Sequence, residues 1–169
     1  MSDIIADVCL TAIPDGLSPM HRDNEIMRIM ESGMAAGRVL AVYTNQPTAP
    51  AVMDTATAWG YRLAAWVVRV LGAEREAFDT WPVMHGHLFV FVPEGVREWY
   101  FLPEDGVSGD VWQCDHTQTP PADFWMRVLE AYCPPGGTVA TITTADTAHT
   151  LQVKRAVKET ERRLHVIGG

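Results

Sequence analysis

The stretch Ile4-Ile5-Ala6-Asp7-Val8-Cys9-Leu10 (IIADVCL, residues 4–10), running into Thr11-Ala12-Ile13-Pro14-Asp15-Gly16-Leu17-Ser18-Pro19, decides the reading of the chain. A short, largely apolar run predicts a buried strand, and Pro14, Asp15, Gly16 and Pro19 punctuate the loop that ends it. From Arg22 to Met34, the residues Ile26, Ile29, Met30 and Met34 recur at intervals of three and four. That is the period of a helix with one buried stripe, closed by Gly37. Arg38 to Thr44 (RVLAVYT) predicts a second buried strand, broken by Asn45 and Pro47. Thr48 with Pro50 starts a helix through Val52, Met53 and Ala56 to Trp59, closed by Gly60. A strand, a helix, a strand and a helix thus follow one another from the first residues.

The rest of the chain keeps this alternation. Strands are expected over Tyr61–Leu71 and His87–Val92, with weaker ones over Val96–Leu102 and Asp110–Cys114; residues 72–82 form a long polar loop. Phe124, Trp125, Val128, Leu129 and Tyr132 share one face of a helix between Pro120 and Cys133, where the two prolines fit the first turn. Pro134-Pro135-Gly136-Gly137 stops it. A strand over Thr138–Thr143, a helix over Asp146–Arg162 and a strand over Leu164–Ile167 complete the series. Strands alternating with helices imply an α/β fold with a doubly wound, mostly parallel sheet of Rossmann-like type, in one domain spanning residues 1–169.

At 169 residues, with 47% hydrophobic and 20% charged, the composition is that of an ordinary globular domain rather than a disordered or fibrous chain. No apolar run reaches the length of a membrane helix, and Met1-Ser2-Asp3 does not open a secretory signal, so a cytoplasmic protein is expected. Cys9, Cys114 and Cys133 are odd in number and far apart, which predicts reduced thiols. The net charge of −8 divides unevenly, with −11 over residues 1–150 and +3 over residues 151–169. A body this acidic repels phosphate, so nucleic acid is expected to bind only weakly or through a basic partner.

Taken in order, five segments resemble the amino-methyltransferases that modify the exocyclic nitrogen of adenine, the family of the messenger-RNA adenosine methyltransferases and their bacterial and phage relatives. IIADVCL resembles the strand that runs into the family's Asp-Pro-Pro-Trp signature, and VLAVYTN (39–45) its second strand. AWGYRLAAWVVRV (58–70) resembles the segment with an aromatic-Gly-aromatic step followed by Trp-Val, and HGHLFVFVPEG (85–95) the His-led strand closing on glycine. CDHTQTPPADFWMRVLEAYCPPGG (114–137) resembles the stretch with a Lys-Pro step, an amphipathic helix and a Pro-Gly stop. The resemblance implies a methyltransferase-like fold, S-adenosylmethionine as cofactor, a nucleic-acid base as substrate, and Asp7, Thr119 and Thr143 as cofactor-binding positions. Asp7 would also be catalytic, with Cys9 beside it as either a nucleophile or a small buried core thiol.

The chain departs from that pattern at the positions that carry chemistry. Read at the signature, Asp7-Val8-Cys9-Leu10 keeps only the aspartate: Val8 and Cys9 replace the prolines and Leu10 the aromatic ring. Thr119 replaces the lysine before proline, removing a cation for the cofactor's carboxylate. TVATITTADTAHT (138–150) stands where a Gly-rich cofactor loop is expected, and no glycine occurs between Gly137 and Gly168. Without glycine the backbone cannot approach a nucleoside closely. The expectation is therefore a non-methylating relative that has lost cofactor binding and acts in a homo- or hetero-oligomer with a methyltransferase-like chain. The alternative is an enzyme of the same fold, either still methylating a nucleic-acid amino group or using Asp7 for other base chemistry.

Three further patterns have a chemical and a plain reading. His85, His87, Cys114 and His116 pair imidazoles with a thiol, which suits zinc and a metal-dependent hydrolase, but their spacing is not a standard zinc motif and no metal is expected. Trp59, Trp66, Trp81, Trp99, Trp112 and Trp125 are core residues or stacking surfaces, with Trp81, Trp99 and Trp112 the ones suited to a partner surface. Lys154, Lys158 and Arg162 recur every four residues, as either a phosphate-facing stripe or a solvated helix face.

Overall fold

A computed structural model describes residues 6–45, 47–71, 85–96, 111–114, 119–144 and 147–168. Seven strands form one sheet in the order β5-β3-β4-β2-β1-β6-β7. In chain order the elements are β1 (Ala6–Ala12), α1 (Pro19–Ala36), β2 (Gly37–Asn45), α2 (Ala49–Ala58), β3 (Tyr61–Leu71), β4 (His85–Pro93), β5 (Val111–Cys114), α3 (Ala122–Tyr132), β6 (Thr138–Ile142), α4 (Thr147–Glu159) and β7 (Arg163–Ile167). Only β4 is antiparallel to its neighbours, β2 and β3; every other pair is parallel. The expected doubly wound, mostly parallel sheet is present. The expected strand over Val96–Leu102 and the loop over 72–82 fall, apart from Val96, outside the described residues.

Alternation along the strands divides the core between two helical layers. Cys9, Leu40, Val42, Phe89 and Phe91 face α1 and α2, meeting Ile26, Ile29, Met30, Val52 and Ala56. Val8, Leu10, Val39, Ala41, Leu88 and Val90 face α3 and α4, meeting Phe124, Trp125, Val128, Leu129, Val153 and Val157. Strands buried on both faces explain why β1, β2 and β4 read as continuous apolar runs. Burying each large side chain contributes about 1.5–3 kcal/mol, so the apolar face of α3 alone offsets much of its ordering cost.

Several boundaries differ from expectation, among them two helix ends. Helix α1 begins at Pro19 rather than Arg22, because a proline at the first helical position loses no hydrogen bond there. Helix α4 ends at Glu159 rather than Arg162. Glu161 turns left-handed at φ 53°, its N–H donates to the carbonyl of Lys158, and the N–H of Arg162 donates to that of Val157. This is the Schellman arrangement, and it takes Arg162 off the helix. Of the two readings of Lys154, Lys158 and Arg162, the stripe of three is broken: the Arg162 guanidinium donates to the carbonyl of Cys133 at 2.8 Å and of Thr160 at 3.1 Å.

Candidate functional site

The chain leaves β1 through α1 towards β2, and leaves β6 through α4 towards β7, on the opposite side of β1. The strand order therefore reverses between β1 and β6, and the loops beyond their carboxyl ends diverge to the two faces of the sheet. Ligands of doubly wound sheets gather in such a crevice. Its rim consists of residues 13–18 after β1, 47 and 48 after β2, Thr143 and Thr144 after β6, and the first residues of α3 and α4.

Asp7 is not on that rim. It is the second residue of the seven in β1, at the amino end, where its carboxylate accepts the Thr138 N–H at 2.8 Å. At about 3.3 Å per residue, the strand carries Ile13 roughly 20 Å away from it. The placement of Asp7-Val8-Cys9-Leu10 at the strand's carboxyl end is thus corrected. The strand runs on through Thr11 and Ala12, and Ile13 extends the ladder with an N–H bond to the Tyr43 carbonyl at 2.9 Å. Cys9 is completely buried against Gly33, Gly37 and Leu40, and burial pushes its thiol up to about 12, which suits a core residue and not a nucleophile. Cys133, near Asp7 at the same edge, is also raised by burial, with Arg162 opposing and Asp7 reinforcing the shift.

A carboxylate that does stand on the rim is Asp15, in the turn Pro14-Asp15-Gly16, where Gly16 has φ 76°. Asn45, the last residue of β2, donates its side-chain amide to Asp15 and so ties together the loops after β1 and β2. Beside it the hydroxyls of Thr44 and Thr48 are hydrogen-bonded to each other, and Thr48 also donates to the Asn45 carbonyl at 3.1 Å. The Asp15–Asn45 pair follows from tertiary structure. Its sequence signal is a proline and an acid directly after an apolar run that continues through Ile13.

Thr119 and Thr143 both lie on the rim, Thr119 ahead of α3 and Thr143 just past β6, with the Thr143 N–H on the Ile167 carbonyl at 2.9 Å. Buried rings and hydroxyls gather between β6, α3 and α4. Trp125 and His149 are completely buried with ring centres 5.0 Å apart, and Thr141, Thr144 and Thr150 are buried beside these elements. The hydroxyls of Thr141 and Thr150 and the Trp125 indole N–H have no hydrogen-bond partner among the described residues, which makes this corner polar. Residues 145 and 146, between β6 and α4, lie outside the described residues.

A second polar group occupies the α3 face at the carboxyl ends of β2 and β3. Arg69, the one arginine completely buried among the described residues, donates to the Tyr43 hydroxyl at 3.3 Å and lies 5.8 Å from the Tyr43 ring and 6.0 Å from that of Phe124. Gly86 is required beneath it, since a Cβ there would collide with the Tyr43 hydroxyl.

On the other face, His85 and His87 meet edge to face at 5.0 Å, and His87 accepts the indole N–H of Trp66 on Nδ1 at 3.1 Å. Burial, then the neighbouring His85, holds His87 below its ordinary pKa. Cys114 closes β5, two strands from β4, so roughly 10 Å of sheet separates it from the histidines. His116 lies outside the described residues, and no group of three His, Cys, Asp or Glu is placed to hold a metal among the described residues. Trp81 and Trp99 also lie outside them. Trp112 packs edge to face on Phe124 at 5.2 Å. No helix among the described residues is long and apolar enough to cross a membrane.

No family model matches the sequence, and no curated protein matches it. Among solved structures the chain is similar to M1.HpyAVI in complex with SAM, at TM-score 0.72 and 11% identity, over 99% of this chain and 82% of that one. It is similar to TTHA0409, a putative DNA modification methylase from Thermus thermophilus complexed with S-adenosyl-L-methionine, at TM-score 0.74 and 12% identity, over 99% and 83%. It is also similar to the cytosine-N4-specific PvuII DNA methyltransferase, at TM-score 0.70 and 8% identity, over 98% and 76%. The fold is that of these DNA methyltransferases: methyltransferase-like and Rossmann-like.

Proposed function

We propose that this methyltransferase-fold chain is a relative of the adenine amino-methyltransferases that no longer transfers methyl groups, and that it works in nucleic-acid modification by pairing with a second methyltransferase-like chain. The observation that carries the reading is the packed corner of β6, α3 and α4. Trp125 and His149 are buried ring against ring between α3 and α4, and residues 138–167 contain no glycine to let the backbone approach a nucleoside closely. Thr119 supports it, offering no cation to a cofactor carboxylate. The division of charge, −11 over the first 150 residues and +3 over the rest, supports a basic partner that supplies the grip on phosphate.

Calorimetry tests the loss of cofactor directly. Titration with S-adenosylmethionine should release no binding heat at millimolar concentration, whereas micromolar affinity overturns the reading. Size-exclusion chromatography with light scattering should find a homodimer or a stable complex with a methyltransferase-like chain; a strict monomer that captures no such chain counts against the pairing.

One observation favours a second reading, an active base-modifying enzyme. Asp15 presents a carboxylate at the switch-point crevice and is held there by Asn45. In that case S-adenosylmethionine binds, and Asp15→Asn abolishes turnover while leaving the fold intact.

A further inference from the structure

On the face of the sheet that packs against α1 and α2, part of β3 is left exposed. Trp66, opposite Phe89 on β4, is 50% exposed, and Leu63, opposite Phe91, is 36% exposed. A half-exposed indole on a loop is unremarkable, but Trp66 is fixed. Its N–H donates to Nδ1 of His87 at 3.1 Å, and its ring leans on His87 at 5.7 Å and on Phe89 at 5.5 Å. His87 in turn lies parallel to Phe89, with ring centres 6.0 Å apart, and His85 closes the row at the rim. Because Nδ1 accepts the indole N–H, the neutral imidazole carries its proton on Nε2, and no bond to Nε2 occurs among the described residues. Thr44, opposite His87 on β2, brings this row next to the hydroxyl pair of the crevice.

The geometry points to a binding platform for a nucleobase, with the half-exposed indole of Trp66, held in place by the buried His87, as the stacking surface and the imidazole of His85 at the rim as the hydrogen-bonding group. Indole is a large, rigid surface for a flat heteroaromatic ring, and its fixed orientation removes the entropy cost of ordering it on binding. The cations of β3, Arg62 and Arg69, fall on the opposite face by strand alternation, so this face is built for the neutral ring rather than for its phosphate. The proposal deepens the nucleic-acid reading given above by naming where a base rests, and it depends neither on cofactor binding nor on a partner. The base has two sources, a free nucleoside or an unpaired nucleotide in a strand.

The test is a titration of the ¹⁵N-labelled full chain with adenosine, reading the indole N–H signals. The Trp66 signal is assigned by its disappearance in Trp66→Phe. Adenosine at millimolar concentration should move it. Trp66→Leu should weaken binding by about 5- to 150-fold, the range that stacking on an aromatic ring spans, while Trp66→Phe keeps most of the affinity. A short oligoadenylate that binds at least tenfold tighter than adenosine, with salt dependence, identifies a strand as the source; equal affinity identifies the free nucleoside. The proposal is overturned if the Trp66 signal stays put, if cyclohexanol moves it as much as adenosine, or if adenosine moves Trp125 instead, which would place the ring in the β6–α4 corner. Failure of the cofactor or partner experiments leaves these signals unaffected, so the two readings fail separately.

Discussion

Asp7 shows how one residue changes meaning with its position on a strand. In sequence it is the only acid within the first apolar run, which makes it the natural choice for chemistry. On the sheet it pairs the amino ends of two parallel strands, accepting the N–H with which β6 begins. A buried or half-buried bond to a charged acceptor is worth about 1.5–3 kcal/mol net. Asp7→Ala should therefore lower stability by about 1–2 kcal/mol in urea denaturation, while leaving adenosine affinity and oligomeric state unchanged. A loss of ligand binding with stability intact would instead restore a functional role to this carboxylate.

At the level of the element, α4 ends where its own backbone closes the cap rather than where its charge pattern stops. Lys154, Lys158 and Arg162 are spaced for one helix face, but Glu161 at C′ occupies the left-handed region, where a side chain costs roughly 1 kcal/mol and glycine costs nothing sterically. The chain accepts that strain because the turn delivers the Arg162 guanidinium to the carbonyl at the end of α3. Glu161→Gly should raise stability by about 0.5–1 kcal/mol, seen as a higher denaturation midpoint without a change in slope. A destabilised Glu161→Gly variant would show that the glutamate side chain itself contributes to this corner.

Across the whole molecule, the central strands β1 and β2 are covered on both faces, and Cys9 lies inside one of the two layers. Its thiol reaches solvent only when that layer opens. In a variant with Cys114 and Cys133 replaced by serine, labelling of Cys9 by a disulfide reagent should be slow in the native protein and should track global stability as urea is added. Rapid native labelling would mean that α1 detaches from the sheet on its own. The thiol keeps its proton up to about 12 when folded and up to about 9.0 when unfolded, so this group makes stability fall as pH rises between those values.

The sequence by itself determined the alternation of elements and the two-sided burial of the sheet. Periodicity is a local property, and a strand such as HLFVFV carries it without reference to the rest of the chain. Strand ends were harder to read. An apolar run does not mark where its ladder stops: the resemblance sets the signature at Asp7-Val8-Cys9-Leu10, whereas β1 continues to Ala12. The reversal of strand order, the Asp15–Asn45 bridge across 30 residues, the burial of Arg69 and the Trp66–His87 bond were decided by tertiary structure alone. Each joins groups far apart along the chain, and local spacing carries no information about which strand will lie beside which.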